Sequence, residues 1–93
     1  MINPGAKLNP KVLDVDVEMR GIREGYGEGL VLAGEKDKNI VVLCADLTES
    51  TRSQAFAEKF PDRFVQIGVA EQNLAAVAAG LGVSGKTAFI SSY

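Results

Sequence analysis

The hexapeptide Gly68-Val69-Ala70-Glu71-Gln72-Asn73 sets a lone carboxylate between a β-branched and aromatic run, Phe64 to Val69, and a small apolar run, Leu74 to Val83. That order reads as a strand ending and a helix beginning. In a parallel α/β sheet the junction lies at the carboxyl edge, where ligand crevices open, so Glu71 is placed as a working residue. The chain has no histidine, which removes the commonest general base. Its one cysteine, Cys44, lies inside Ile40-Val41-Val42-Leu43-Cys44-Ala45 and reads as a buried apolar residue, not a reactive thiol. Chemistry here must rest on carboxylates, hydroxyls, backbone groups or a cofactor.

The elements that would hold Glu71 follow from periodicity. Ile22, Tyr26, Leu30 and Ala33 recur at helical spacing from Arg20, ending between Gly34 and Lys36, although Gly21, Gly25, Gly27 and Gly29 weaken the helix or admit another backbone closely. Ile40 to Ala45 is short and wholly apolar, the pattern of a strand buried on both faces. Asp46-Leu47-Thr48-Glu49-Ser50 follows as a polar turn, then a helix from Arg52 to Phe60 stopped by Pro61. Phe64 to Val69 forms a second strand, Ala70 or Glu71 to about Val83 a helix, and Thr87 to Ser91 a third strand.

Strand, helix, strand, helix, strand predicts an α/β fold, a parallel sheet with flanking helices and right-handed crossovers. Asp46, Glu71 and Tyr93 then all follow strand carboxyl ends and should share one edge crevice. The helix after Glu71 carries Ala75, Ala76, Ala78, Ala79, Gly80 and Gly82, which predicts burial against a neighbour, between subunits. Before Arg20, Leu13, Val15 and Val17 alternate with Asp14, Asp16 and Glu18, fitting either a short strand or a loose arm. The expected organisation is an amino-terminal arm over 1–19 and the first part of a domain over 20–93.

Ten Lys plus Arg against twelve Asp plus Glu give no electrostatic case for nucleic acid or an anionic membrane. No run approaches the roughly 18 apolar residues a membrane span needs, and the amino terminus has no apolar signal core. A cytoplasmic location is expected. The final strand ends at Tyr93 without a covering helix, which suggests an incomplete domain, either a fragment or one piece of a split protein.

The chain from Arg20 onward resembles the pyrimidine-binding domain of transketolase, a thiamine diphosphate enzyme. The resemblance runs through Tyr26-Gly27, Ala45-Asp46-Leu47-Thr48 with Ser50, Phe60-Pro61-Asp62-Arg63-Phe64, Gly68 to Asn73, and Ala78-Ala79-Gly80-Leu81. The preceding arm, with Leu8-Asn9-Pro10, looks like the start of separately encoded carboxyl-terminal transketolase subunits. In that family a glutamate matched by Glu71 hydrogen-bonds N1′ of the aminopyrimidine and favours the tautomer that deprotonates the thiazolium. A two-carbon ketol unit then passes from a ketose phosphate to an aldose phosphate, as in the pentose phosphate pathway.

The resemblance implies that Tyr93 packs on the aminopyrimidine, and that Asp46 lies near the cofactor and the subunit contact. Phe89 and Ile90 are expected in the core. The Gly-Asp-Gly segment that holds the diphosphate with Mg2+ or Ca2+ has no counterpart here, so the implied partner is a diphosphate-binding subunit or domain, in a dimer or heterotetramer. Three alternatives remain: a deoxyxylulose-phosphate synthase, which usually has histidine where Asn73 stands; a 2-oxo acid dehydrogenase β-type subunit; and a non-catalytic interaction module.

Overall fold

The computed structural model describes residues 3–93. Three strands, β1 (Ile40–Cys44), β2 (Phe64–Gln66) and β3 (Thr87–Ser91), form one parallel sheet in the order β2-β1-β3. Three helices flank it: α1 (Ile22–Lys36), α2 (Gln54–Lys59) and α3 (Glu71–Val83), with a short 3-10 turn at Pro61–Arg63 leading into β2. In register, Cys44 at the end of β1 stands opposite Gln66 on one side and Ser91 on the other. All three strands therefore finish along a common edge, as expected.

The continuous apolar run of β1 suits the middle of a parallel sheet, and all five of its residues are buried. Ile40 and Val42 pack with Leu30 of α1 and Phe56 of α2 on one face. Val41 and Leu43 pack with Leu74 of α3 on the other, and Ala45, just past the strand, joins them. The alternation of side chains along a strand assigns these two clusters to opposite faces. The chain moves from β1 sideways to β2, then back across β1 to β3. Because parallel crossovers keep one hand, that reversal sends the two connecting helices to opposite faces. The loops after β1 and β2 consequently diverge, which makes their junction a topological switch point of the kind where ligands bind.

Glycines in α1 separate into two kinds. A Cβ on Gly27 would collide with the backbone carbonyl of Arg52, and one on Gly34 would meet the rings of Phe56 and Phe60 at 2.6 and 2.9 Å. Gly25 and Gly29 have nothing within 4 Å. Close approach of another backbone, foreseen for this segment, thus holds at Gly27, while Gly25 and Gly29 only weaken the helix. Arg63 closes the far end of α1 by donating to the carbonyls of Gly34 and Asp37 at 2.9 and 3.0 Å, with its guanidinium 4.1 Å from the centroid of the Phe60 ring.

Several sequence expectations need correction. The helix expected from Arg52 starts at Gln54, because Arg52 takes a left-handed φ of 62° that no helix accommodates. The second strand ends at Gln66, ahead of Val69, since Gly68 turns the chain with a φ of 81°. Residues 3–21 contain no helix or strand, and Leu13 and Val15 are exposed, so their alternation faces no sheet. Phe89 joins the α1 side of the core as expected, whereas Ile90, on the opposite face of β3, is 44 % exposed. The small-residue helix α3 buries only Leu74; Ala75, Ala76, Ala79, Gly80 and Gly82 are exposed, so no part of this chain supplies the expected cover.

The glycine geometry gives a direct test. Gly27→Ala should destabilise the fold by about 1–3 kcal/mol through overpacking against backbone, whereas Gly25→Ala should stabilise it by about 0.5–1 kcal/mol through helix propensity. Urea midpoints of the two variants measure the difference.

Candidate functional site

At the end of β1, Asp46 adopts a left-handed φ of 61°, a strained conformation for a residue with a Cβ and one that concentrates at functional sites. Its backbone N–H donates to Gln66 Oε1 at 2.7 Å. The loop that follows is tied internally. Thr51 Oγ1 donates to the Leu47 carbonyl at 2.8 Å and lies 3.0 Å from Ser53 Oγ, which in turn donates to the Thr48 carbonyl at 3.3 Å. Thr51 and Ser53 are buried, so these bonds satisfy groups that would otherwise be costly to bury. Cys44 is buried, with its Sγ 3.8 Å from Thr51 Oγ1.

At the end of β2, Gly68 turns the chain and its carbonyl accepts from Ala70 N–H at 2.8 Å. Glu71 is then the first residue of α3, where the helix dipole favours a negative charge. Its N-cap is Ala70, which has no side chain able to cap, so first-turn amides stay open. Glu71, Gln72 and Asn73 are exposed and line an open cavity of about 650 Å³. Among the described residues the Glu71 carboxylate takes part in none of the side-chain hydrogen bonds or ion pairs.

At the end of β3, Tyr93 is exposed and lines an apolar recess of about 330 Å³ with Ile22, Tyr26, Thr51 and Ser91. Tyr26 Oη and Ser91 Oγ are buried there without a hydrogen-bond partner among the described residues. Burial pushes the Tyr26 phenol above its usual range, and the nearby Ser91 hydroxyl opposes this more weakly although their geometry falls short of a hydrogen bond.

The three residues singled out from sequence therefore do share the carboxyl edge, but they do not share a cavity. Asp46 opens onto a polar concavity of about 320 Å³ with Leu47 to Ser50, Glu71 onto its own, and Tyr93 onto the apolar recess. The single crevice expected between them is not formed by this chain alone. Sequence reasoning missed two contributors. Gln66, the lone polar residue inside the second apolar run, bonds to both edge loops. The partnerless hydroxyls of Tyr26 and Ser91 carried no signal, since neither sits in a polar motif.

Fold and edge placement define a unit of the parallel α/β class whose polar groups gather at a switch point. Comparison with known proteins makes the assignment specific: residues 18–93 match the model of the transketolase pyrimidine-binding domain, and the chain belongs to that family. It is 53% identical over 74 residues to a putative transketolase C-terminal section of Methanocaldococcus jannaschii, covering 80% of this chain and 23% of that protein. A 1-deoxy-D-xylulose-5-phosphate synthase of Nitratidesulfovibrio vulgaris is 38% identical over 68 residues, covering 73% of this chain and 11% of that protein. Among solved structures, a split-gene transketolase described as an inactive beta4 tetramer superposes with a TM-score of 0.68 at 52% identity, covering 76% of this chain and 24% of that one. The chain thus spans at most about a quarter of the length of these relatives. Family membership implies dependence on thiamine diphosphate. Among the described residues no helix is long and apolar enough to cross a membrane.

The buried phenol yields a pH test. A folded-state pKa above the unfolded value means that stability is complete below the unfolded value, about 10 for tyrosine, and falls as pH rises through the folded one. Urea midpoints should therefore drop above about pH 10, with a shallower drop in Tyr26→Phe.

Proposed function

We propose that this chain is the pyrimidine-binding part of a transketolase that moves a two-carbon ketol unit from a ketose phosphate to an aldose phosphate. The observation that carries the reading is the free Glu71 carboxylate at the start of α3, on the sheet's carboxyl edge, in a chain of this family. Residues 1–19 act as an arm ahead of the domain.

The residues present fit the aminopyrimidine half of thiamine diphosphate. A carboxylate with no competing partner can hold a proton against a ring nitrogen, and the apolar recess beside Tyr93 offers a flat aromatic face together with two hydroxyls lacking partners. When bound, the cofactor supplies the electron sink for carbon–carbon cleavage. Glu71 holds the proton at N1′ and so sets the tautomer of the ring. Tyr93 orients the ring by packing on it, and Asp46 braces the edge beside the subunit contact. Glu71 is exposed in this chain, so the dry surroundings that sharpen such a proton contact come from a partner surface.

We assign the diphosphate and its Mg2+ or Ca2+ to that partner, a diphosphate-binding subunit or domain, because no Gly-Asp-Gly segment occurs in this sequence. The assembly is a dimer or heterotetramer working on sugar phosphates in the cytoplasm. The inactive beta4 tetramer of the similar split-gene protein supports the need for a second kind of chain. The similarity to 1-deoxy-D-xylulose-5-phosphate synthase favours one competing reading, in which pyruvate is the donor.

Donor sugars separate the two. With the diphosphate-binding partner added, the pair should cleave xylulose 5-phosphate; consumption of pyruvate with glyceraldehyde 3-phosphate instead would establish the synthase reading. In the same assay Glu71→Gln should lower turnover by roughly 10²- to 10⁴-fold, the ordinary worth of a positioned proton-transfer group. An unchanged rate would mark the chain as an interaction module.

A further inference from the structure

Two left-handed turns at the carboxyl edge, at Asp46 after β1 and Gly68 after β2, end on one oxygen atom. Gln66 Oε1 accepts the backbone N–H of Asp46 at 2.7 Å and that of Gly68 at 3.1 Å, while its Nε2 donates to Thr48 Oγ1 at 3.1 Å. The orientation of the amide is fixed by its partners, because two backbone N–H groups require the oxygen between them. We infer that Gln66 is a positioning residue, a clamp across the β1/β2 switch point that fixes the Asp46 turn and the Gly68 turn in one geometry and thereby aims Glu71, three residues beyond Gly68. The inference rests on the cofactor reading of Glu71 given above.

The placement explains why a side chain is needed there. Loops after β1 and β2 leave toward opposite faces, so no backbone ladder joins them beyond the bond from Ile67 N–H to the Cys44 carbonyl at 2.9 Å. Past that point the Gln66 amide is what links them. Gln66 lies on the same face of β2 as Phe64, the face that carries α1 and α2, which brings its amide under the Asp46–Thr48 loop. The Asp46 conformation is one that a residue with a Cβ adopts at a cost of about 1 kcal/mol or more, and the bond to its N–H helps offset that cost. Because Gln66 is exposed, the clamp lies in the open crevice and not in the core, so its loss leaves the packed clusters on both faces intact.

Two substitutions separate the clamp from mere side-chain bulk. Gln66→Met keeps length and volume and removes every bond. Gln66→Glu keeps an oxygen for both amides and lets the Thr48 hydroxyl turn to donate. Backbone amide hydrogen exchange on the full chain, and thiamine diphosphate affinity of the chain with its diphosphate-binding partner, are measured for both variants and for Glu71→Gln. The expected result is that Gln66→Met speeds exchange at Asp46 and Gly68 together by about tenfold and weakens cofactor affinity by about the same factor, the worth of one or two net hydrogen bonds, and that Gln66→Glu restores both. Unchanged exchange at either amide in Gln66→Met overturns the clamp. Faster exchange with unchanged cofactor affinity, while Glu71→Gln weakens binding, overturns the positioning role and leaves the cofactor reading standing. Unchanged affinity in Glu71→Gln overturns that reading and the inference with it.

Discussion

Everything in this fold depends on keeping one strand dry on both faces. Five consecutive buried residues, Ile40 to Cys44, form the middle of the sheet. A parallel strand so placed must be covered above and below by its own crossover helices, so Phe56 and Leu30 seal one face and Leu74 the other. The reversal of chain direction at β2 follows from that demand. With it comes the divergence of the loops that carry Asp46 and the Glu71 hexapeptide. The position of the carboxylate is thus a consequence of packing around β1, and not of any local signal at Glu71.

Covering is uneven, and the unevenness bears on function. The α1/α2 face is sealed by aromatic rings, with Phe56 and Phe60 at a centroid distance of 5.0 Å and Arg63 stacked on the latter. The α3 face is thin: Val83 is 91 % and Val69 77 % exposed, and most small residues of α3 meet nothing in this chain. A surface of that kind, next to an exposed Glu71 and an exposed Tyr93, supports a site completed by another chain. Desolvation would then be switched on by assembly, since the carboxylate stays in water until a partner surface closes over it.

Much of this was legible from residue patterns. The strand order, the buried Ile40 to Cys44 run and the common carboxyl edge follow from hydrophobic periodicity, because a doubly covered parallel strand leaves few other sequence patterns open. What failed was governed by backbone conformation or by missing neighbours. Left-handed φ values at Arg52 and Gly68 shortened α2 and β2, and propensity says nothing of such turns at an arginine. Burial of α3 and of Ile90 was misjudged because apolarity shows that a surface wants cover without saying which chain provides it. Gln66 went unnoticed because a single polar residue in a strand does not announce that three groups converge on it.

The central claim is that this chain supplies half of a shared cofactor site, with Glu71 as its proton contact. Equilibrium binding of thiamine diphosphate to this chain alone, to the diphosphate-binding partner alone and to the mixture tests it most directly. The account predicts saturable binding to the mixture that is tighter than to either chain by at least about tenfold. Equal affinity for the mixture and for the partner alone would contradict it.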